Sequence, residues 1–73
     1  MTITGKVIKK EKKNVKVNLF IEDFLGSIFC FQVRPKNIIK LVEVDTGCIV
    51  QVDCSNECKN GINNLILEDI VIV

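Results

Sequence analysis

A chain of 73 residues makes one domain at most and buries only about 60% of the surface its unfolded form exposes, so little stability is left over for elaborate sites. With 48% hydrophobic and 26% charged residues, one Pro and four Gly, the composition argues against disorder, and no apolar run approaches the 18 or more residues of a membrane span. The net charge of +1 is unevenly spread: residues 1–40 carry nine Lys or Arg against three Asp or Glu, and residues 41–73 carry one against six, so the first half can form a surface that attracts phosphates. The N-terminus "MTITGKVIKKEKK" has no continuous apolar core of the signal-peptide kind, which leads to the expectation of a cytosolic protein with no membrane partner.

The first element, "TITGKVIKKE", is rich in β-branched residues and reads as a strand in which Gly5 marks a bulge or sharp bend where a Cβ would be in the way. "KKEKKN" then reads as a short charged hairpin link. In "VKVNLFIED" the alternation puts Val15, Val17, Leu19 and Ile21 on one face and Lys16, Asn18, Phe20 and Glu22 on the other. "DFLGS" is the next link; within it Phe24 and Leu25 either plug the end of the fold, the favoured reading, or form an exposed patch for a protein partner. The third strand, "IFCFQVR", is expected to turn Phe29, Phe31 and Val33 inward and Cys30, Gln32 and Arg34 outward.

Pro35 has no amide hydrogen to give and ends the ladder. "KNIIKLVEV" places Ile38, Leu41 and Val42 at i, i+3 and i+4 with Asn37 as N-cap, a helix of about two turns. That is too short for a parallel crossover, which runs to a dozen residues or more. After the turn "DTG", "CIVQVDC" alternates Cys48, Val50, Val52 and Cys54 against Ile49, Gln51 and Asp53. "SNECKNG" is the last turn, Asn60-Gly61 being a strong hairpin signal because both residues tolerate positive φ. "INNLILEDIVIV" closes the chain as one strand or a bent pair. Three strands, a short helix and two strands, joined by hairpin-like links, give an all-β five-stranded barrel with its helix between the third and fourth strands, the architecture of the OB-fold, over the whole of residues 1–73.

Four cysteines, Cys30, Cys48, Cys54 and Cys58, read as free thiols in a reducing compartment. A four-thiolate zinc site is the sharper alternative, but only Cys54 and Cys58 are closely spaced and there is no His, so neither metal nor cofactor is expected. Catalysis is not expected either: there is no phosphate-cradling Gly loop, and the nearest carboxylate pairs, Glu22-Asp23 and Glu68-Asp69, are sequence neighbours that diverge on a strand, whereas acid-base work needs two converging groups.

The run "VDTGCIVQVDCSNECKNGINNLILEDIVIV" and the opening "ITGKVIKKE" resemble bacterial single-stranded DNA-binding proteins and the related primosomal replication protein, where a Gly turn leads to an alternating strand, a polar Asn-Gly loop and an aliphatic strand. The resemblance implies an OB barrel that binds single-stranded DNA, although Trp and Tyr, the family's usual base-stacking residues alongside Phe, are absent here. From the residues themselves, a strand is held by cations along its phosphates and flat side chains under its bases. Lys16, Asn18 and Phe20 are expected beside Gln32 and Arg34, extended by Lys6, Lys10, Lys12 and Lys13 from the first strand and its turn, and by Lys59 from the last hairpin. Arg34 has a competing reading as a surface ion pair with Glu22 or Glu43, and Phe20 as a barrel or dimer contact. Two functions follow: a module for single-stranded DNA or RNA in replication, recombination or mobile-element maintenance, or an OB-type interaction and oligomerisation module. The unbroken aliphatic "LILEDIVIV" favours a homodimer.

Overall fold

Alternating apolar residues do build five strands, and the strands close on themselves. In a computed structural model of all 73 residues they are β1 (Thr2–Lys13), β2 (Lys16–Glu22), β3 (Ile28–Val33), β4 (Ile49–Lys59) and β5 (Ile62–Ile72). They form a closed barrel in the order β1-β2-β3-β5-β4. Every pairing is antiparallel except the short parallel contact of β3 with β5 at Phe31↔Leu65 and Gln32↔Ile66. No helix is long and apolar enough to cross a membrane.

The core is one side of this alternation. Val17, Leu19 and Ile21 of β2, Phe31 and Val33 of β3, Val50, Val52 and Cys54 of β4, and Leu67 of β5 are buried together with Val7, Leu41 and Val44. Phe29 packs at the margin of this cluster, its ring stacked on Phe31 at 6.4 Å between centroids. Val15 departs from the expected core face: it is 83% exposed, because it sits in the two-residue tip between β1 and β2.

Closure depends on Gly5, which pairs with Val50 of β4 while β1 swings across to β2. A Cβ there would collide with the Glu22 carbonyl oxygen and come within 2.7 Å of the Ile21 Cγ2. Just beyond, the register slips between Val7 and Lys9, a bulge of the kind that bends a strand and raises its twist.

Both hairpins are tighter than expected. "KKEKK" is not a link but the last part of β1, and Asn14-Val15 alone makes the turn, Asn14 taking φ 58°. "SNECK" likewise belongs to β4, leaving Asn60 and Gly61, at φ 54° and 76°, as the whole turn. At Asn60-Gly61 both centres take positive φ, as a two-residue hairpin needs to match strand twist, whereas at Asn14-Val15 only Asn14 does; in both hairpins the strands pair right up to the turn. The final segment is one strand, β5, with an irregular register against β4 between Asp53 and Cys54.

Between β3 and β4 the chain forms a 3-10 helix, Pro35–Leu41, rather than the expected α-helical turns. The two buried residues of this helix are Asn37 and Leu41, while Ile38 of the expected apolar face is exposed. Leu41 and Val44 are buried, whereas Val42 is 74% exposed. Asn37 is not the N-cap, a position held by extended Arg34 with Pro35 next. It lies within the helix, buried, with Nδ2 donating to the Leu67 carbonyl at 3.1 Å. Lys40 adds a second tie to β5, donating to the Glu68 carbonyl at 3.2 Å and reaching Asp69 Oδ1 at 3.3 Å.

Phe24 and Leu25 do not plug the barrel; they are 81% and 91% exposed. Asp23 holds their turn in place, its Oδ1 accepting from the amides of Leu25 and Ser27 at 3.0 and 2.9 Å. An Asx turn of this kind replaces a backbone turn with a side-chain acceptor, and here it leaves both apolar side chains pointing away from the core. All four cysteines are free thiols, and no three Cys, Asp or Glu side chains cluster as metal ligands would.

Candidate nucleic-acid interface

Outward side chains of adjacent strands form cross-strand rows, and the register decides which residues meet. Across β2 and β3, Asn18 faces Gln32 and Phe20 faces Cys30. Across β1 and β2, Lys9 faces Phe20, Glu11 faces Asn18 and Lys13 faces Lys16. The hairpin of β4 and β5 stands beside this sheet and completes a groove of about 620 Å³ lined by Lys16, Asn18, Cys30, Gln32, Glu57, Lys59 and the Asn63-Asn64-Leu65 run. Four of the expected residues, Lys16, Asn18, Gln32 and Lys59, therefore share one concavity although they come from β2, β3 and β4.

Phe20 lies next to it, half-buried, with the Lys9 Nζ 5.6 Å from its ring centroid, within cation–π range. Lys9 also meets Glu11 at 3.1 Å, and that ammonium, by hydrogen bond and charge, holds the Glu11 carboxyl below its usual range. Arg34 stands at the groove's edge and is ion-paired with Glu57, not with Glu22 or Glu43. The pair links the end of β3 to the hairpin arm and leaves the guanidinium half exposed for a phosphate to compete for. Burial pushes the Cys30 thiol up, with Glu11 adding to it, so Cys30 lines the groove as a protonated, weakly polar group and not as a nucleophile.

The remaining expected cations lie elsewhere. Lys10 and Lys12 pair with Leu19 and Val17 on the inward parity of β1. They emerge beyond the core beside Ile38, Leu41 and Val42, Lys10 meeting Asp45 at 3.7 Å. Lys6 sits at the opposite end with Glu22, Asp23 and Phe24. Lys13, opposite Lys16 at the hairpin tip, stays with the interface. Lys9 was missed because the bulge after Val7 reverses the parity of β1; before it, even-numbered Lys6 faces out, and after it odd-numbered Lys9, Glu11 and Lys13 do. The bend implied by Gly5 was the available signal. Asn63 and Asn64 were also missed: the closing strand was read to contain them, but only its pairing beside β3 and β4 brings them into the groove.

A closed five-stranded barrel, a helix between β3 and β4, and a groove over β2 and β3 flanked by the β1–β2 and β4–β5 hairpins define an OB-fold. Solved structures agree in fold. Rim1, a mitochondrial single-stranded DNA-binding protein of S. cerevisiae, superposes in two crystal forms with TM-scores of 0.72 and 0.73 at 16% and 21% identity, covering 100% of this chain and 90% of Rim1. The dimeric N-terminal domain of PriB from Thermoanaerobacter tencongensis gives a TM-score of 0.63 at 14% identity, over 100% and 93% of the two chains. No protein-family model matches the sequence, nor does any curated protein.

Proposed function

We propose that this chain is a small cytosolic module that binds single-stranded nucleic acid, acting in DNA replication, recombination or mobile-element maintenance. One observation carries the reading: the groove crosses the outer face of β2 and β3 between two hairpin tips, where OB barrels take oligonucleotides. The fold likeness to Rim1 and PriB supports it. Lys9, Lys13, Lys16, Lys59 and Arg34 would track phosphates, and Phe20 offers the one flat surface for a base, each stack contributing about 1–3 kcal/mol. The nearest acidic pair does not suggest catalysis: Glu68 accepts from the Ser55 hydroxyl at 2.8 Å while Asp69 turns to Lys40.

The test is fluorescence anisotropy with labelled single-stranded and duplex oligonucleotides across a salt titration. Micromolar binding to the single strand is expected. About four phosphate contacts give a log–log salt slope near −3, and Phe20→Ala together with Arg34→Ala should abolish the binding. Absence of binding even at about 50 mM salt would overturn the reading. A second reading, an interaction module, is favoured by the exposure of Phe24 and Leu25 and of Ile39, Val42, Val71 and Ile72 around a groove of about 610 Å³. A homodimer would cover such surface, and light scattering at increasing concentration reads it directly.

A further inference from the structure

The seam of the barrel between β3 and β5 is short and leaves a sheet edge open. β3 pairs with β5 only at Phe31 and Gln32; it then ends at Val33, and the chain turns away into the 3-10 helix. From Leu67 to Ile72, β5 therefore has a strand on one side only, β4. The Asn37 and Lys40 side chains meet the Leu67 and Glu68 carbonyls at the start of this edge. Further along, the Val73 amide donates to the Ile49 carbonyl at 2.9 Å while Ile72 stands opposite Val50, which makes Val50 and Ile72 a non-hydrogen-bonded pair. By the same alternation so are Val52 and Ile70, and the amides and carbonyls of Ile70 and Ile72 point away from β4. The Ile70 amide is met by Asp69 Oδ1 at 2.9 Å. That leaves the Ile70 carbonyl and both backbone groups of Ile72 without a partner in the chain.

This edge is one wall of the groove of about 610 Å³, and Ile39, Val42 and Val44 form the other. Val71 and Ile39 are 58% and 76% exposed, and Ile70–Val73 has no Lys, Pro or bulge of the kind that blunts an edge. Of the two charged residues in the lining, Lys40 is taken by Asp69, whereas Glu43 is in no ion pair. We propose that the groove takes an extended apolar peptide segment bearing a cation, added to β5 as a further strand where β3 leaves off. This deepens the interaction-module reading of the same groove and does not depend on nucleic-acid binding. Main-chain bonds to Ile70 and Ile72 hold the segment, its side chains pack between β5 and the Ile39-Val42 wall, and a Lys or Arg answers Glu43. The occupant is a lone strand because the groove is walled on both sides. A β5 edge brought in by a second barrel would carry its own helix, Pro35–Leu41, toward the first one.

The probe is a fluorescein-labelled peptide of about eight residues, alternating Val and Thr with Lys at both ends. A Glu-ended version and a version N-methylated at alternate residues accompany it, each titrated with the full chain. The Lys-ended peptide should bind with a Kd on the order of 100 µM, at least about threefold tighter than the Glu-ended one, and the N-methylated peptide should not bind. Amide exchange at Ile72 should slow on binding. Ile72→Pro removes that donor but no ladder bond to β4, a change edge strands tolerate, so it should abolish peptide binding while the melting temperature holds. Glu43→Lys should invert the charge preference. Absence of binding by the Lys-ended peptide up to about 1 mM, binding that leaves Ile72 exchange unchanged, or equal affinity for the Lys- and Glu-ended peptides overturns the proposal. So does protection of Ile72 that rises with protein concentration in the absence of peptide, with dimers seen by light scattering, which would make a second copy the occupant. None of these outcomes bears on the β2–β3 groove, which the oligonucleotide titration decides separately.

Discussion

Replacing Gly5 with Ala adds one methyl group where two strands cross, and the structure sets the size of the effect. The new Cβ would overlap the Glu22 carbonyl oxygen and sit 2.7 Å from the Ile21 Cγ2. Neither can retreat, since Glu22 is backbone in the β1–β2 ladder and Ile21 is fully buried. Overpacking of a rigid site costs about 1–3 kcal/mol, and the backbone clash points to the upper half of that range. A domain of this length has a total stability of roughly 4–11 kcal/mol, so the variant should fold but melt about 10–20 °C lower, at 4–8 °C per kcal/mol. Thermal unfolding by circular dichroism measures this. Gly61→Ala is the internal comparison: nothing lies within 4 Å of its Cβ and only the φ of 76° is strained, a cost of about 1–2 kcal/mol. If Gly5→Ala melts within about 3 °C of the parent, under 1 kcal/mol, the crossing of β1 over β2 is not as tight as described and the account of barrel closure fails.

Asn37→Ala should cost about 1–3 kcal/mol in urea unfolding, because the Leu67 carbonyl loses its partner from the 3-10 helix at a buried site; Asn37→Asp should cost more, since a carboxylate would face that same oxygen. Asp69 has its carboxyl held below the ordinary range, first by the Ile70 amide and then by Lys40. A lowered folded-state pKa contributes stability that is present above the unfolded value and lost as pH falls through the folded one. The stability difference between the parent and Asp69→Asn should therefore be present at pH 7 and shrink below about pH 4, and a difference independent of pH would refute that origin. Asp23→Ala removes the one carboxylate oxygen that accepts from both the Leu25 and Ser27 amides in the Phe24-Leu25 turn. Amide exchange at Leu25 and Ser27 should rise severalfold while the β2 and β3 core amides stay protected.

Much of the architecture was legible because an inward face in a small barrel must be apolar at every second residue. Val17, Leu19 and Ile21, Phe31 and Val33, and Val50, Val52 and Cys54 announce three strands and their inward sides by chemistry alone. Pro35 and Asn60-Gly61 carry their own backbone constraints, so the strand end and the last turn could also be placed. The candidate interface was half legible: Asn18, Phe20 and Gln32 follow from the same alternation read outward.

What the residues alone could determine ends where a position depends on a partner distant in sequence. The bulge after Val7 exists because β1 must pair with β4 and then bend onto β2, and that one slip exchanges Lys10 and Lys12 for Lys9 on the outer face. Arg34 found Glu57 because the β4–β5 arm leans toward the end of β3, a proximity across 23 positions that no local pattern encodes. Phe24 and Leu25 face solvent because the barrel is already filled by Phe31 and its neighbours. Local propensity and periodicity are properties of a segment and survive in the sequence; register, bulge parity and the groove between β2, β3 and the hairpin arm arise only when the sheet closes, since each is set by which two segments share hydrogen bonds.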